Sequence, residues 1–538
     1  MRRILLNTSL LALLVGQAFA GGDRPEWNAR NVEHLLNRAA FGATQAEVQA
    51  ALASSPEAFV DQLMATKRPW QRVEPTLIRW EDFDLDPRGI PVDADKSKYK
   101  GMARADIQKI VQPLRGTDRK QFLDYAEQYF ASMLNGDDPV RDHATLFWHG
   151  FFTTSFAVVR RKYEVIHQHQ FLRDNALGSF RDLVRGIVRD PAMLQYLDNN
   201  TNVKGHANEN LARELMELFS LGEGHYTEVD VREAARALTG AWADPEGRFQ
   251  FQAENHDDGA KSILGHTGNF KGDELVDIIL QQDACPRWVA KKLLTYYEGV
   301  EPSEARLADY AAFLRANDYR IDAFLKRLFL DPAFYRDEIV NARVQGPIEF
   351  VIGLCRKLSI EPPRNFVFAV TADLGQCFYD PPTVKGWDGG EAWITNATLL
   401  GRGNVAGVLI DAFEGVEPAN DAMMDADDDL TSRVRELTIA QLKQLAHVGQ
   451  WAPKLDLAGE LARVGARTDE AAIDYLLSAW LSIEPPVETR MLLAEHLALA
   501  RADAKLGSRP LADGGEAAER ILRRLAHIVF SLPEAQLH

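Results

Sequence analysis

A short charged segment, residues 205–231, contains residues whose types and spacing could do acid–base chemistry. On a helix that begins near residue 208, Asn210, Glu214 and Glu217 share one polar stripe, because successive residues turn by about 100°. Crowding of the two carboxylates would raise the pKa of one of them and fit it for general acid catalysis. The pattern therefore predicts Glu214 and Glu217 as catalytic residues, with Asn210 and Arg213 binding substrate.

The same segment also has a purely structural interpretation. Arg213 lies one turn after Glu209 and one turn before Glu217, and such pairs stabilise a helix by about 0.2–0.5 kcal/mol each. Thr227 and Asp230 have the spacing of a cap for the following helix. The polar stripe is therefore either a buried polar site or an ion-paired, solvated helix face, and the sequence leaves both open.

A second cluster of polar residues lies at 254–268. His256, Asp257 and Asp258 offer the imidazole and oxygen groups that bind cations, and Lys261 follows them. We predict His256 and Asp257 as a second base or as ligands of a divalent cation, although the spacing identifies no particular metal. A turn closed by an aspartate side chain explains the same residues.

Two tryptophans and one histidine complete the candidates. Glycine and proline break regular structure across residues 380–402, which presents Trp387 and Trp393 in a loop as predicted substrate-binding residues. Indole rings suit stacking on a sugar or peptide, and they equally suit filling a core between helices. In the segment FWHGFF, residues 147–152, His149 is either a satisfied core histidine or a proton shuttle.

Helices must position these groups, because apolar residues recur at helical spacing along most of the chain. Thr44 and Glu47 have the spacing of a capping box. Strand-like alternation is scarce, and residues 248–253 are the best candidate for a hairpin arm. The sequence predicts an all-α, multi-helix globular fold with minor β hairpins. Helices are predicted in the segments 178–189, 229–239, 285–297, 303–315, 320–330 and 344–358.

Residues 1–20 have the basic start, apolar run and small-residue end of a secretory signal peptide. The apolar run is shorter than the roughly 20 residues that a membrane-spanning helix needs. We therefore expect a periplasmic or secreted protein with no transmembrane anchor after signal cleavage. Cleavage removes Arg2 and Arg3, which leaves 61 − 2 = 59 basic against 78 acidic residues and moves the net charge from −17 to −19. A nucleic-acid partner is not expected, because it requires clustered positive charge.

An acidic stretch that is poor in apolar residues, 415–432, is typical of a linker or exposed loop. It divides a main helical domain, residues 21–414, from a C-terminal helical part, residues 433–538. The three cysteines are too few for a disulfide scaffold and lack metal-ligand spacing, so one bridge or none is expected. The sequence contains no P-loop, dinucleotide-binding glycine run, nucleophile elbow or HExxH zinc helix.

Several long motifs are spread over the chain: HLLNRAAFGAT (34–44), LFWHGFFTTS (146–155), YLDNNTN (196–202), NENLARELMELFSLGEGHYTEVDVREAARALTG (208–240), HDDGAKSILGHTG (256–268), QGPIEFV (345–351), GQCFYDPPTVKGWDGGEAWITNATLLGR (375–402) and SLPEAQ (531–536). They resemble a large bacterial family catalogued as a domain of unknown function, DUF 1800. The family has no established activity, so the resemblance transfers no catalytic residue. It implies an exported helical protein, with an exported sulfatase- or phosphatase-like protein encoded nearby as a partner.

One departure from the family concerns the segment around His149. The family often shows a WHNHF pattern, whereas this chain has Trp148, His149, Gly150, Phe151 and Phe152. The second histidine is absent, which argues against a metal chelate in this segment.

Together these features favour an exported enzyme, a hydrolase or lyase acting on an envelope or extracellular polymer. Glu214 and Glu217 would provide acid and base, and His256 with Asp257 would provide a cation site or second base. The alternative is a non-catalytic envelope protein that binds or assembles a partner, with the polar motifs as a structural network. The two hypotheses differ in whether these side chains and Trp387 line one open concavity.

Overall fold

Helices make up most of the described chain, which confirms the all-α prediction. A computed structural model describes residues 24–77, 102–159, 162–244, 246–411, 441–443 and 453–538. The predicted signal peptide and the predicted linker lie outside these residues. The helices up to residue 244 are α1 (Ala29–Ala40), α2 (Gln45–Leu52), α3 (Pro56–Met64), α4 (Arg104–Asn135), α5 (Pro139–Phe151), α6 (Phe156–Val159), α7 (Lys162–Asn175), α8 (Phe180–Ile187), α9 (Pro191–Tyr196), α10 (Asn210–Glu217) and α11 (Glu228–Ala237).

The helices after residue 246 confirm the predicted segments from 285 to 358 with bounds shifted by no more than a few residues. These helices are α12 (Gly272–Gln281), α13 (Ala284–Glu298), α14 (Glu304–Ala316), α15 (Ile321–Phe329), α16 (Pro347–Lys357), α17 (Phe366–Asp373), α18 (Asn396–Leu409), α19 (Leu457–Val464), α20 (Asp469–Trp480), α21 (Val487–Asp503) and α22 (Glu516–Ser531). Short 3₁₀ turns span Asn199–Thr201, Ala253–Asn255, Pro332–Tyr335, Gly390–Trp393, Leu511–Asp513 and Pro533–Gln536.

Two antiparallel hairpins are the sheets found in the described residues. The strands are β1 (Ala241–Ala243), β2 (Phe249–Phe251), β3 (Lys261–Ile263) and β4 (His266–Gly268). β1 pairs with β2, with Trp242 opposite Gln250, and β3 pairs with β4. The hairpin arm predicted at 248–253 is therefore confirmed.

Local capping signals set where several helices begin. The Thr44 hydroxyl accepts from the Glu47 N–H at 3.2 Å, and the Glu47 carboxylate accepts from the Thr44 N–H at 3.1 Å. Thr227 and Asp230 make the same arrangement at the start of α11. Both predicted caps are confirmed. They could be predicted because each depends on residues three positions apart and not on the tertiary fold.

Two apolar cores hold the helices together. The first lies among α1–α3, α5 and α8–α15. The second lies among α4, α16–α18 and the C-terminal helices α19–α22, and within it Trp480 stacks on Phe530 at a centroid distance of 4.9 Å. Residues on both sides of the predicted linker therefore share one core.

Cys285, Cys355 and Cys377 are all buried free thiols. Within the described ranges, no helix combines the length and apolar character that crossing a bilayer requires.

Candidate functional site: an aromatic-lined cavity

A cavity of about 670 Å³ lies between α5, α13, the start of α16 and the loop that carries Trp387 and Trp393. Pockets of about 300–1,000 Å³ take small-molecule ligands. Aromatic side chains form much of the wall, with polar groups placed among them. The lining includes Phe147, Phe151, Lys292, Thr295, Tyr296, Arg343, Glu349, Lys385, Trp387, Asp388, Glu391 and Trp393.

The tryptophan loop is pressed against the end of α5. A Cβ at Gly386 would lie 2.4 Å from the carbonyl oxygen of Gly150, and φ at Gly386 is +90°, so glycine is required there. This close approach brings the ring of Trp387 to 5.7 Å from the ring of His149. Trp393 ends the 3₁₀ turn that follows. Gly386 thus positions Trp387 beside α5, and Trp393 follows on the same loop.

Two polar atoms around the cavity lack protein partners. The hydroxyl of Thr295 and the indole N–H of Trp387 are buried and make no hydrogen bond to the described residues. Buried polar groups are nearly always hydrogen-bonded, and an unmet one costs about 1–3 kcal/mol. A ligand with hydroxyl or carbonyl groups could satisfy them.

Glu349 is a buried carboxylate in the cavity wall with three donors around it. Its Oε1 accepts from Arg343 Nη1 at 2.6 Å and lies 3.1 Å from His143 Nε2, and its Oε2 accepts from the Gly346 N–H at 2.8 Å. Burial acts to raise the pKa of Glu349, but Arg343 and His143 outweigh burial and hold that pKa well below its usual range. Glu349 is therefore ionised, and both of its carboxylate oxygens have hydrogen-bond partners. It is suited to holding Arg343 in position and not to taking up a proton.

The predicted catalytic stripe lies on α10, and its side chains do not belong to the cavity lining. Arg213 pairs with Glu209 at 3.0 Å, as predicted, and with Glu228 at 2.7 Å. Glu217 instead accepts from the Tyr226 hydroxyl at 2.7 Å. The prediction that Glu217 is the second partner of Arg213 is wrong, because α11 brings Glu228 to Arg213 from a different helix.

Glu214 is half-buried beside this ion-paired group. Burial raises the pKa of Glu214 and the neighbouring Glu217 raises it further, which is the direction expected from like-charge crowding. The Asn210 N–H donates to the side chain of Asn208 at 3.0 Å. Only Leu218, one turn after Glu214, reaches the cavity, so the structure does not bring the stripe together with the tryptophans.

The second predicted cluster stabilises the region of the hairpins. His256 is buried, with Nδ1 2.9 Å from the carbonyl oxygen of Thr239. Asp257 accepts from Arg236 through both carboxylate oxygens, at 2.8 and 3.1 Å, and Arg236 holds the pKa of Asp257 well below its usual range. His256 and Asp257 do not line the cavity. In the part of the chain that the structure describes, no cluster of three or more His, Cys, Asp or Glu side chains could hold a metal ion.

The pair of Asp257 with Arg236 leads to a stability prediction. We expect Asp257→Asn to lower the free energy of unfolding by about 1.5–3 kcal/mol, because hydrogen bonds to charged groups contribute about that much. Urea unfolding measures the difference. The exposed neighbour Asp258 is the matched control, and Asp258→Asn should stay within about 0.5 kcal/mol of the wild type. Equal unfolding midpoints for the two variants would refute a stabilising role for Asp257.

His149 lies in the core beside Trp387. It is buried, its Nε2 accepts from the Tyr379 N–H at 3.1 Å, and burial lowers the pKa of His149 to about 3. The ring is therefore neutral at physiological pH, as a satisfied core histidine is. Phe151, which stands where the family pattern has its second histidine, lines the cavity.

Most polar lining residues were not predicted from the sequence, among them Lys292, Tyr296, Arg343 and Glu349. Lys292 and Tyr296 lie one turn apart on α13, a spacing that indicates a shared face but not what that face meets. Glu349 is the third residue of α16 after Pro347, where a glutamate is a common helix cap. Glu349 does cap the start of α16, and this local role gives no indication that Glu349 also lines the cavity.

The fold and the cavity together define an all-α protein with an aromatic-lined cavity and no recognised catalytic motif. The chain belongs to the family described as "Protein of unknown function (DUF1800)", whose family model matches residues 34–537. No curated protein and no solved structure matches the chain.

Four of the eight motifs that carry the family resemblance contribute residues to this cavity. Segments 146–155, 345–351 and 375–402 all contribute lining residues, and segment 208–240 contributes Leu218. These segments are far apart along the chain, and the fold brings them to one place. The cavity is therefore the best candidate for the function that the family members share.

Proposed function

We propose that this protein binds a sugar ring of an envelope or extracellular polymer in the cavity beside Trp387 and Trp393. The observation that carries the proposal is the combination of two indole side chains with buried polar groups that lack protein partners. The signal-peptide pattern at residues 1–20 supports a periplasmic or secreted location, where such polymers occur.

Sugar rings have both of the features that this wall would recognise. The C–H faces of the ring are apolar and stack on indoles, which gain stability from burying their large surface. The hydroxyls at the ring edge donate and accept hydrogen bonds, as the hydroxyl of Thr295 and the indole N–H of Trp387 require. An apolar ligand would leave those two groups unmet, at about 1–3 kcal/mol each.

A hydrolase or lyase acting on that polymer is the catalytic form of the proposal. Asp388 and Glu391 line the cavity on the tryptophan loop, and two carboxyl groups beside a bound sugar are the usual means of glycoside hydrolysis. Glu349 does not fit this role, because Arg343 and His143 already occupy it. A non-catalytic binding protein is the second candidate, and the satisfied ion pairs of Arg213 and Asp257 favour it.

Truncating the tryptophans tests the proposal. Purified wild type is screened on an array of neutral and anionic glycans, and Kd values for the bound glycans are measured by calorimetry. We expect Trp387→Ala and Trp393→Ala each to weaken binding by at least about tenfold, because truncating an aromatic hot spot costs about 2 kcal/mol or more and about 1.4 kcal/mol is already tenfold in Kd. Release of reducing ends in the same mixtures distinguishes a hydrolase or lyase from a binding protein.

Trp242 provides the matched control for these variants. It is half-buried on β1 and does not line the cavity, so Trp242→Ala should bind glycans as the wild type does. Glycan binding that survives both cavity substitutions would place the binding site elsewhere and overturn the proposal. An array with no bound glycan would overturn it as well.

A further inference from the structure

We propose that the sugar bound in the cavity carries an oxyanion, a carboxylate or a phosphate or sulfate ester, which Arg343 and Lys292 bind. This inference rests on the proposed function and adds the charge of the ligand. It follows from an excess of buried positive charge at the cavity that the neighbouring carboxylates do not balance.

Three guanidinium groups lie at or behind the cavity wall. Arg343 lines the cavity, its side chain is 13% exposed, and its guanidinium lies 4.3 Å from the ring centroid of Tyr296. Arg38 and Arg402 are completely buried. The charges of Arg38 and Arg343 repel each other, and both Arg38 and Arg402 feel the charge of Glu349. These groups therefore form one electrostatic unit.

Glu349 balances only one of these charges. Arg38 donates to the carbonyl oxygens of Glu298 and Ile339, and Arg402 donates to the carbonyl oxygen of Gln345 and to the side chain of Gln536. These acceptors are neutral, so they satisfy hydrogen bonds without cancelling charge. A guanidinium stays protonated in proteins, and a buried charge without a counter-ion is costly.

The carboxylate of Glu298 attracts Arg38, but its charge is shared with Arg306. It accepts from Arg306 Nε at 2.9 Å, and Arg306 also pairs with Asp331 at 2.7 Å. Burial lowers the pKa of Arg402 to about 10, which reflects the cost of its charge in this environment. A negative group entering the cavity would lower that cost.

Lys292 adds a further positive charge to the wall. Its ammonium lies 4.5 Å from the centroid of the Trp288 ring, and among the described residues no carboxylate is within ion-pair distance of it. Lys385, also on the lining, repels Lys292, while its own contact with Asp388 is long, at 3.6 Å, and exposed. An oxyanion close to Lys292 would attract its ammonium group and offset the repulsion from Lys385.

The acidic residues of the lining limit where an oxyanion can bind in the cavity. Asp388 and Glu391 are on the exposed tryptophan loop, whereas Arg343 and Lys292 belong to the more buried wall. An anion is repelled by the loop and attracted by that wall, where the lower dielectric strengthens the attraction. Charge-assisted hydrogen bonds to an oxyanion would then hold the ring beside the indoles.

The test compares charged and neutral forms of the same glycans. On the array, and in calorimetry with oligogalacturonate and its methyl ester, we expect the anionic form to bind about tenfold or more tightly, since a hydrogen bond to a charged group contributes about 1.5–3 kcal/mol. Lys292→Met should remove most of that advantage. Preference for uronates over phosphate or sulfate esters, or the reverse, identifies which oxyanion is bound.

Lys291 is the matched control, since it precedes Lys292, pairs with Glu301 at 3.0 Å and does not line the cavity. Lys291→Met should keep the preference for anionic glycans. If neutral glycans bind as tightly as charged ones and still require Trp387, the oxyanion is refuted and the sugar site stands. If no glycan requires Trp387, both the proposed sugar site and the proposed oxyanion are refuted. The comparison of acid with methyl ester uses wild type alone, so it decides even where Lys292→Met fails to fold.

Discussion

Replacing Glu349 by glutamine should lower the free energy of unfolding by about 3–5 kcal/mol, the usual cost of removing one partner from a buried ion pair. The glutamine keeps the shape of the side chain but removes its charge. Arg343 would then lose its counter-ion, Arg402 would lose the negative charge that stabilises it, and Arg38 would keep only the attraction of Glu298. Urea unfolding at pH 7, followed by circular dichroism, measures the change.

A surface pair provides the control for this substitution. Arg287 donates to both oxygens of Glu304 at 2.6 and 2.8 Å, so its contacts are as short as those of Glu349, but the Glu304 side chain is 77% exposed. Exposed pairs contribute at most about 1 kcal/mol, and Glu304→Gln should show no larger loss. Similar losses for Glu349→Gln and Glu304→Gln would contradict the assignment of Glu349 as the counter-ion of a buried cationic group.

The acid limb of the unfolding profile gives an independent check on Glu349. Its folded pKa lies well below its value in the unfolded chain, which is about 4.3. The stabilisation is therefore fully present above about pH 4.3 and is lost as the pH falls through the folded pKa. The gap between wild type and Glu349→Gln should be constant from pH 7 down to about pH 5 and should close only in stronger acid.

The helices and their caps could be predicted because their causes are local. The capping boxes at Thr44 and Thr227 and the hairpin arm at 248–253 depend on residues only a few positions apart, and the structure confirms them. The second partner of Arg213 could not be predicted in the same way. Glu217 lies one helical turn from Arg213, whereas Glu228 lies on the next helix. The packing of α11 on α10 brings Glu228 to Arg213, and Glu217 accepts from Tyr226 instead.

The cavity depends on contacts that no local pattern reveals. The sequence places Trp387 in an irregular loop, but the loop meets α5 only because Gly386 allows the backbone to approach Gly150. Glu349 lies in the helix predicted at 344–358, and no local pattern distinguishes Arg343 or Arg38. Their common site joins segments hundreds of residues apart, so it appears only once the chain is folded.

The second large effect concerns the dependence of stability on pH. His149 has a folded pKa of about 3, whereas an unfolded histidine titrates near 6.5. Below about pH 6.5 the unfolded chain takes up a proton that the folded chain refuses, so this residue destabilises the fold by about 1.4 kcal/mol for each pH unit down to about pH 3. We expect His149→Gln to remove that slope, and urea unfolding at pH 7, 6, 5 and 4 measures it against the wild type.

Glutamine is the right replacement, because its amide oxygen can accept from the Tyr379 N–H as Nε2 does. The comparison must be a difference between variant and wild type, since other buried histidines such as His34 and His169 also have lowered pKa values and remain in both proteins. His225→Gln, at an exposed position, is the control and should leave the wild-type slope unchanged. Parallel profiles for His149→Gln and wild type would mean that His149 takes up a proton inside the fold. The core interpretation would then fail, and a proton shuttle beside Trp387 would become the better account of this residue.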